Sequence, residues 1–289
     1  MASTFNITGS GLVSGTSNSQ YSSTQIPQGG LALYHKEIAV QSVSMYYSWK
    51  NITAAYQNNK FSYTWVDGTV VSLTIPDGSY SISDLNAYLE SQMYNRTHYL
   101  IGSGGNSFYL ELVTNSVLYA VSINSYAVPT AAQAVTLGLT LPSGATWAFP
   151  VTPATPQLTI PAVSNATTSF SVLLGIPPGT YPPAIQTTNY SASSIVAPQV
   201  SPVSSVSINC NIVNNRYTNP QTFLCQFSPN VSFGSLITVQ FPWPSFQQVI
   251  EGNYQNITIF FTDQNGNALN IIDTNLVVVL VMRDRGVAS

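Results

Sequence analysis

Residues 42–53 read SVSMYYSWKNIT, and the alternation of side chains along this stretch decides how the chain folds. Successive side chains of a β-strand point to opposite faces, so the stretch separates into two sets. The large, mostly apolar set is Val43, Met45, Tyr47 and Trp49. The opposite, mostly polar set is Ser42, Ser44, Tyr46 and Ser48. This pattern predicts a strand with one face in a hydrophobic core and the other against a neighbouring layer or subunit, rather than a ligand-binding strip of rings.

Similar strand signals recur from Leu31 to Arg283, as short runs of Val, Ile, Tyr, Phe and Thr separated by turn residues. Asp67-Gly68 separates FSYTWV from TVVSLTI, and Asn265-Gly266 separates ITIFFTD from NALNII. Tight hairpin turns need positive φ angles, which Gly and Asn tolerate. We therefore expect an antiparallel hairpin at each of these two turns.

Only one stretch, SYSISDLNAYLESQMYN at residues 79–95, has the spacing of a helix. Leu85, Tyr88, Leu89 and Met93 recur at intervals of three and four, which places them on one helical face. Ser81 or Ser83 can cap the start. The pattern predicts one helix of about ten residues that packs on a sheet.

Two segments differ in composition from the strand-rich part. Residues 1–30 are rich in Ser, Thr, Gly, Asn and Gln without periodicity, which predicts a flexible or extended N-terminal arm. Residues 126–200 are rich in Pro, which central strands avoid, so edge strands, long loops or a small insertion are expected there.

Together these signals predict an all-β protein. We expect a single jelly-roll β-sandwich of two antiparallel sheets, with one short helix and long Pro-rich loops. Its domain organisation is expected to be an arm at 1–30 and a jelly-roll domain at 31–289, with the Pro-rich loop or insertion region at about 126–200.

Charge is scarce: seven Lys and Arg and ten Asp and Glu make up 6% of 289 residues, against about 25% in ordinary soluble domains. Ser, Thr, Asn and Gln supply polarity instead, and they are cheaper to bury than ions. We therefore expect much of the surface to be covered by other protein. The few basic residues argue against direct nucleic-acid binding, and the start of the chain does not resemble a secretory signal. The longest apolar run, LVVVLVM at residues 276–282, is too short for a membrane span.

The residues that carry chemistry are few and scattered. The two histidines, His35 and His98, are too far apart in sequence to suggest a metal cage, and no metal or other cofactor is expected. Asp67, Asp77 and Asp263 lie at or beside turns, where a carboxylate bonds to backbone, so no catalytic residue is assigned and no enzyme is expected. Cys210 and Cys225 lie in strand-like contexts, as two reduced thiols, which is the favoured interpretation, or as a bridge between neighbouring strands.

Five segments in order resemble the penton and minor capsid proteins, the single jelly-roll vertex proteins, of icosahedral large double-stranded DNA viruses and virophages. They are SVSMYYSWKNIT at 42–53, LTIPDGSYSISDLNAYLESQM at 73–93, LLGIPPGTYP at 173–182, SINCNIVNN at 207–215 and ITIFFTDQNGNALNIIDTNLVVVLVMRDR at 257–285. The major capsid proteins of this lineage are longer and look like two fused jelly rolls. The chain therefore resembles a vertex or other minor component rather than the main shell subunit.

The resemblance implies a structural capsid protein of the virion, assembled in the host cell. Its implied partners are copies of itself in a homo-oligomer, expected to be a pentamer at the fivefold vertex, and the neighbouring major and minor capsid proteins. A vertex spike is a further candidate partner. Two alternatives remain: another minor position in the same shell, and a carbohydrate-binding β-sandwich used as a surface or fibre lectin. The lectin alternative is weakened by the lack of an export signal.

Overall fold

The computed structural model of the protein describes residues 3–23, 26, 29–163, 169–201 and 203–285. The chain divides into two compact units. The terminal unit consists of Met1–Trp49 and Val203–Ser289, and the inserted unit consists of Lys50–Pro202. A large segment therefore interrupts the terminal unit in the sequence.

The described residues contain twenty strands and three α-helices, with one turn of 3-10 helix at Gly9–Gly11. In chain order the strands are β1 (Ser3–Thr8), β2 (Gln20–Ser22), β3 (Leu31–Leu33), β4 (Lys36–Tyr46), β5 (Lys60–Thr64), β6 (Val70–Thr74), β7 (Leu100–Gly102), β8 (Gly105–Ser107), β9 (Leu110–Asn115), β10 (Ala120–Ser125), β11 (Gln157–Ile160), β12 (Gly179–Tyr181), β13 (Tyr190–Ser193), β14 (Val206–Cys210), β15 (Phe223–Phe227), β16 (Leu236–Gln240), β17 (Gln247–Gln248), β18 (Gly252–Tyr254), β19 (Thr258–Asp263) and β20 (Val277–Asp284). The helices are α1 (Ile82–Tyr94), α2 (Ala131–Leu137) and α3 (Phe170–Leu174).

Two antiparallel sheets make up most of the terminal unit. Sheet 1 has the order β1-β20-β4-β16, with β17 also paired to β4, and sheet 2 has the order β15-β14-β19-β2. The eight principal strands are, in chain order, β1, β2, β4, β14, β15, β16, β19 and β20. When they are numbered one to eight, sheet 1 has the order 1-8-3-6 and sheet 2 has the order 5-4-7-2. This interleaving is the strand order of a jelly roll. The predicted jelly-roll sandwich is therefore confirmed, and the terminal unit alone supplies all eight strands.

The two sheets share one hydrophobic core. Ile7, Val43 and Leu280 enter it from sheet 1, and Ile208 and Phe261 enter it from sheet 2. The alternation predicted for residues 42–49 is also confirmed, since the four large side chains of the apolar set are buried and Tyr46 is exposed on the opposite face. The first half of SVSMYYSWKNIT is thus the end of a core strand, β4.

The prediction of an N-terminal arm at 1–30 differs from the structure. Residues 3–8 form β1, which pairs antiparallel with β20, and Gln20–Ser22 form β2, which pairs with β19. Ile7 and Tyr21 are at most 1% exposed. The polar composition concealed these strands, because each contributes only one or two large apolar side chains and takes its remaining order from backbone pairing. Residues 1–2, 24–25 and 27–28 lie outside the described residues.

The extent of the insertion also differs from the expected region at about 126–200. The inserted unit begins at Lys50 and has its own core, formed by α1 and the strands of its two larger sheets. One sheet has the order β12-β11-β5-β6 and the other β13-β10-β9, and both are antiparallel. Strands in residues 50–125 pair within this unit, so they are not part of the jelly roll.

In the inserted unit, the predicted helix and the predicted hairpin at Asp67-Gly68 are both present. Helix α1 follows Ser81, whose side chain accepts a hydrogen bond from the Asp84 N–H, while the Asp84 carboxylate accepts one from the Ser81 N–H. This reciprocal capping box stabilises the first turn. The hairpin at Asp67-Gly68 joins β5 and β6, with Gly68 at φ 86°. The single helix expected is joined by α2 and α3, two short helices in the Pro-rich region.

The turn at Asn265-Gly266 is present, but only one of its two expected strands is extended. Gly266 has φ 81°, and the Asp263 N–H donates to the Asn267 carbonyl at 2.9 Å. Beyond the turn, pairing is limited to a single bridge between Thr262 and Ala268. Strand β19 instead pairs along β14.

Candidate assembly surface

The outer face of sheet 1, the face turned away from the core, carries no Asp, Glu, Lys, Arg or His along its four principal strands as far as Val281. Its side chains align in rows across the sheet. One row is Asn6, Val279, Ser42 and Gln240, and the next is Thr8, Val277, Ser44 and Thr238. Such a face can be covered by protein without removing the water from ions, which costs several kcal/mol for each ion.

The two edge strands of sheet 1 have few of the features that prevent an edge strand from pairing with another chain. Strand β1 (STFNIT) forms one edge and β16 (LITVQ) lies at the other, and neither strand contains a charged residue or Pro. Natural proteins commonly protect exposed edges with Lys, Pro or inward charges, because an open edge offers unpaired N–H and C=O groups to another chain. These edges are suited to contact with another subunit.

A stiff loop beside β16 displays a tryptophan. The loop reads FPWPSF at residues 241–246, and Trp243 is 94% exposed between Pro242 and Pro244. Because each proline ring fixes φ, the loop has little freedom to fold the indole back onto the molecule. Trp is the residue most enriched among the energetic centres of protein interfaces.

The same loop forms one wall of an apolar groove on sheet 1. The groove has a volume of about 470 Å³, and its walls include Phe241, Phe246 and Val281. The Arg283 guanidinium lies 3.7 Å from the centroid of the ring of Phe246, one of these wall residues, in a cation–π contact. Trp243 and this groove place a projecting ring and an apolar recess side by side.

Charged residues collect where β4 begins and β20 ends. Lys36 Nζ lies 2.5 Å from Asp284 Oδ1, and Arg283 Nε lies 3.1 Å from Glu37 Oε2. The hydrogen bond from Lys36 lowers the pKa of the Asp284 carboxyl. Ion pairs that are already satisfied on one protomer leave little net charge to oppose the approach of another copy. The rest of the sheet face is left uncharged.

The cysteines do not form a bridge. In the β14–β15 register Cys225 lies opposite Ile208, and Cys210 lies opposite Ile259 of β19. Both are free thiols, in agreement with the favoured interpretation. Burial raises the pKa of each thiol to about 12, so neither supplies a reactive thiolate at neutral pH.

The three carboxylates predicted at turns bind backbone. Asp67 Oδ1 accepts from the Thr69 N–H at 2.8 Å, and Asp263 Oδ1 accepts from the Asn265 and Asn267 N–H groups at 2.8 and 2.9 Å. Asp77 differs, because it accepts from the Ala54 N–H at 2.9 Å and so links two separate loops. Within the described ranges, no group of three or more His, Cys, Asp or Glu residues could hold a metal ion.

The two histidines occupy unlike environments. His35 is exposed immediately before β4, with its Nδ1 3.3 Å from Glu251 Oε1. His98 is 5% exposed and belongs to the inserted unit. Among the described residues, no helix is long and apolar enough to cross a membrane.

Sequence reasoning did not single out Trp243 or its groove. The available signal was the Pro-Trp-Pro triplet, which holds a large apolar ring in a segment that cannot form a central strand.

Comparison with known proteins found solved structures only: no protein-family model and no curated protein matches the chain. The crystal structure of the selenomethionine-labelled mavirus penton protein matches over 98% of both chains, with 8% identity and a TM-score of 0.41. A chain of the Sputnik virophage structure, determined by cryo-EM at 3.5 Å resolution, matches over 98% of both chains, with 14% identity and a TM-score of 0.34.

Proposed function

We propose that the chain is a structural capsid protein, the penton subunit at the fivefold vertices of an icosahedral double-stranded DNA virus or virophage. It is assembled in the host cell and located in the virion. The observation that carries this proposal is the outer face of sheet 1, which has no charged side chain as far as Val281, two edge strands without charge or Pro, and Trp243 projecting beside an apolar groove.

Stable interfaces bury about 800 Å² on each partner, and the charged groups that they cover must be paired or neutralised. The outer face of sheet 1 offers Ser, Thr, Val and Asn side chains in regular rows and has almost no such groups to neutralise. It is therefore suited to repeated contact between identical subunits.

The contact that we propose is heterologous, with one region of a subunit binding a different region of the next. Closed rings require such head-to-tail contacts, whereas a twofold dimer uses the same patch twice. The β1 edge and the β16 edge, with Trp243 beside β16, lie on opposite sides of sheet 1 and supply two unlike surfaces that can alternate around a ring. Adjacent major and minor capsid proteins would bind parts of the surface that the ring leaves free.

Native mass spectrometry of the purified full-length chain over a range of protein concentrations tests the proposal. We expect a closed ring, with five copies as the dominant assembled species. A chain that stays strictly monomeric at all concentrations and never joins particles would contradict the proposal.

A further inference from the structure

A polar groove of about 580 Å³ opens on the inserted unit. It lies between the β5–β6 turn, the residues that follow α1 and the loop around Gly144. This volume is within the range of small-molecule sites in proteins. Oppositely charged Asp67 and Arg96 both line the groove, although the chain as a whole has few charges.

His98 forms a rigid wall of this groove. Its Nδ1 lies 2.9 Å from the Tyr63 hydroxyl, and its ring stacks on Trp65 with centroids 5.0 Å apart and planes 5° from parallel. His98 Nε2 has no hydrogen-bond partner within the described part of the chain, and this atom is not fully buried. Since the side chain lines the groove and is otherwise buried, Nε2 is presented to whatever occupies the groove.

Burial lowers the pKa of His98 to about 4, with smaller and opposing effects from Asp67 and Arg96. The ring is consequently neutral at pH 7. A neutral imidazole offers a hydrogen bond without adding positive charge.

The two charged side chains are held in place by bonds within their own segments. Arg96 Nη1 donates to the Gln92 carbonyl at 3.0 Å and to Gln92 Oε1 at 2.9 Å. Asp67 Oδ1 accepts from the Thr69 N–H at 2.8 Å. These bonds orient a guanidinium and a carboxylate before any ligand arrives, which reduces the entropy lost on binding.

The chemistry of the lining restricts the ligand. A phosphate site would need several cations, and here one cation is balanced by one carboxylate. An apolar ligand would remove water from the remaining donors and acceptors of Asp67, Arg96 and His98 without replacing its hydrogen bonds, at a cost of about 1–3 kcal/mol each. Neighbouring hydroxyl groups, which both donate and accept, match this mixed set, and Ser72 and Thr146 add hydroxyls of their own.

We propose that the groove of the inserted unit binds a saccharide through Asp67, Arg96 and His98. The inference does not depend on the proposed capsid role, because all three residues belong to the inserted unit and not to sheet 1. A capsid subunit with such a groove would be able to attach to glycans.

The test is binding of the full-length chain to a glycan microarray, followed by saturation-transfer difference NMR with free galactose, mannose, N-acetylglucosamine and sialic acid. We expect at least one saccharide to bind with a Kd of about 1 mM. Arg96→Gln and Asp67→Asn should each weaken binding roughly tenfold or more, since a charge-assisted hydrogen bond contributes about 1.5–3 kcal/mol. Asn retains an oxygen for the Thr69 N–H, so the turn should survive.

Lys60→Gln is the matched control, because Lys60 is an exposed cation of the same unit that does not line the groove. It should leave saccharide binding unchanged. Absence of binding to any of these sugars, or binding that is the same in Arg96→Gln, Asp67→Asn and the unmodified chain, would overturn the inference. Ring formation in native mass spectrometry would be unaffected by that result.

Discussion

Replacing Trp243 with Ser should disrupt assembly while leaving the folded protomer intact. The indole is 94% exposed, so the protomer gains almost nothing from it, and the full apolar area is available to a partner. An aromatic side chain buries about 150–250 Å² when covered, which at about 25 cal/mol per Å² corresponds to roughly 4–6 kcal/mol. Ordering and polar desolvation offset part of this, and truncation at the centre of an interface commonly costs 2–4 kcal/mol.

We therefore expect each subunit contact to weaken by about 30-fold or more in Trp243→Ser. Sedimentation velocity and native mass spectrometry across a concentration series would measure the shift. Trp243→Phe is the matched control, because it keeps a ring in the same stiff loop and should restore much of the assembly. Thermal unfolding should change by no more than about 0.5 kcal/mol, as for other exposed substitutions. An unchanged assembly midpoint in Trp243→Ser would refute the placement of this loop in the contact.

Three further predictions concern the folded protomer. Ile7→Ala should lower the free energy of unfolding by about 2–5 kcal/mol in guanidinium titrations, since β1 is part of the core. A change below about 0.5 kcal/mol would show that β1 contributes little to the stability of the core. Thr97→Gly should raise the free energy of unfolding by about 1 kcal/mol, or the melting temperature by about 2–4 °C. Thr97 follows α1 with φ 57°, and glycine adopts that conformation without strain. A lower melting temperature in Thr97→Gly would contradict this prediction. The free energy of unfolding should fall by at most about 3 kcal/mol as the pH drops from 6.5 towards 4. His98 has a folded-state pKa of about 4, so the unfolded chain binds the proton at a higher pH than the folded chain does. The same loss of stability in His98→Gln would show that another group is responsible.

The alternating stretch at residues 42–49 illustrates what a local sequence pattern can predict. Alternation along a strand depends only on backbone geometry, so the buried positions of Val43 and Met45 followed directly from the residues. Helix α1 was equally accessible, because its capping residues and its apolar face lie within one short segment. Both features are encoded by residues near one another in sequence.

The pairing of strands with one another could not be predicted from the sequence in the same way. Residues 61–75 and 257–263 carry the same kind of strand signal, yet β5 and β6 pair within the inserted unit while β19 belongs to the jelly roll. The β1–β20 pairing joins the two ends of the chain, and nothing in STFNIT distinguishes it from an unpaired polar segment. Periodicity shows that a segment is a strand, but not which sheet it joins.

The two candidate surfaces had similarly weak sequence signals. The outer face of sheet 1 brings together residues from both ends of the chain, and the saccharide groove joins Asp67 to Arg96 and His98 through the fold of the inserted unit. In the sequence, His98 is one of two histidines too far apart to suggest a metal cage, and nothing else marks it. Its stacking on Trp65 and its bond to Tyr63 became visible only in three dimensions.

The measurement that tests the central claim most directly is a cryo-EM reconstruction of virus particles that contain this chain. We expect five copies of the eight-stranded jelly roll at each fivefold vertex, with the outer face of sheet 1 and Trp243 in the contacts between neighbouring copies. Vertices formed by another protein, or copies in which this face and Trp243 remain open to solvent, would contradict it.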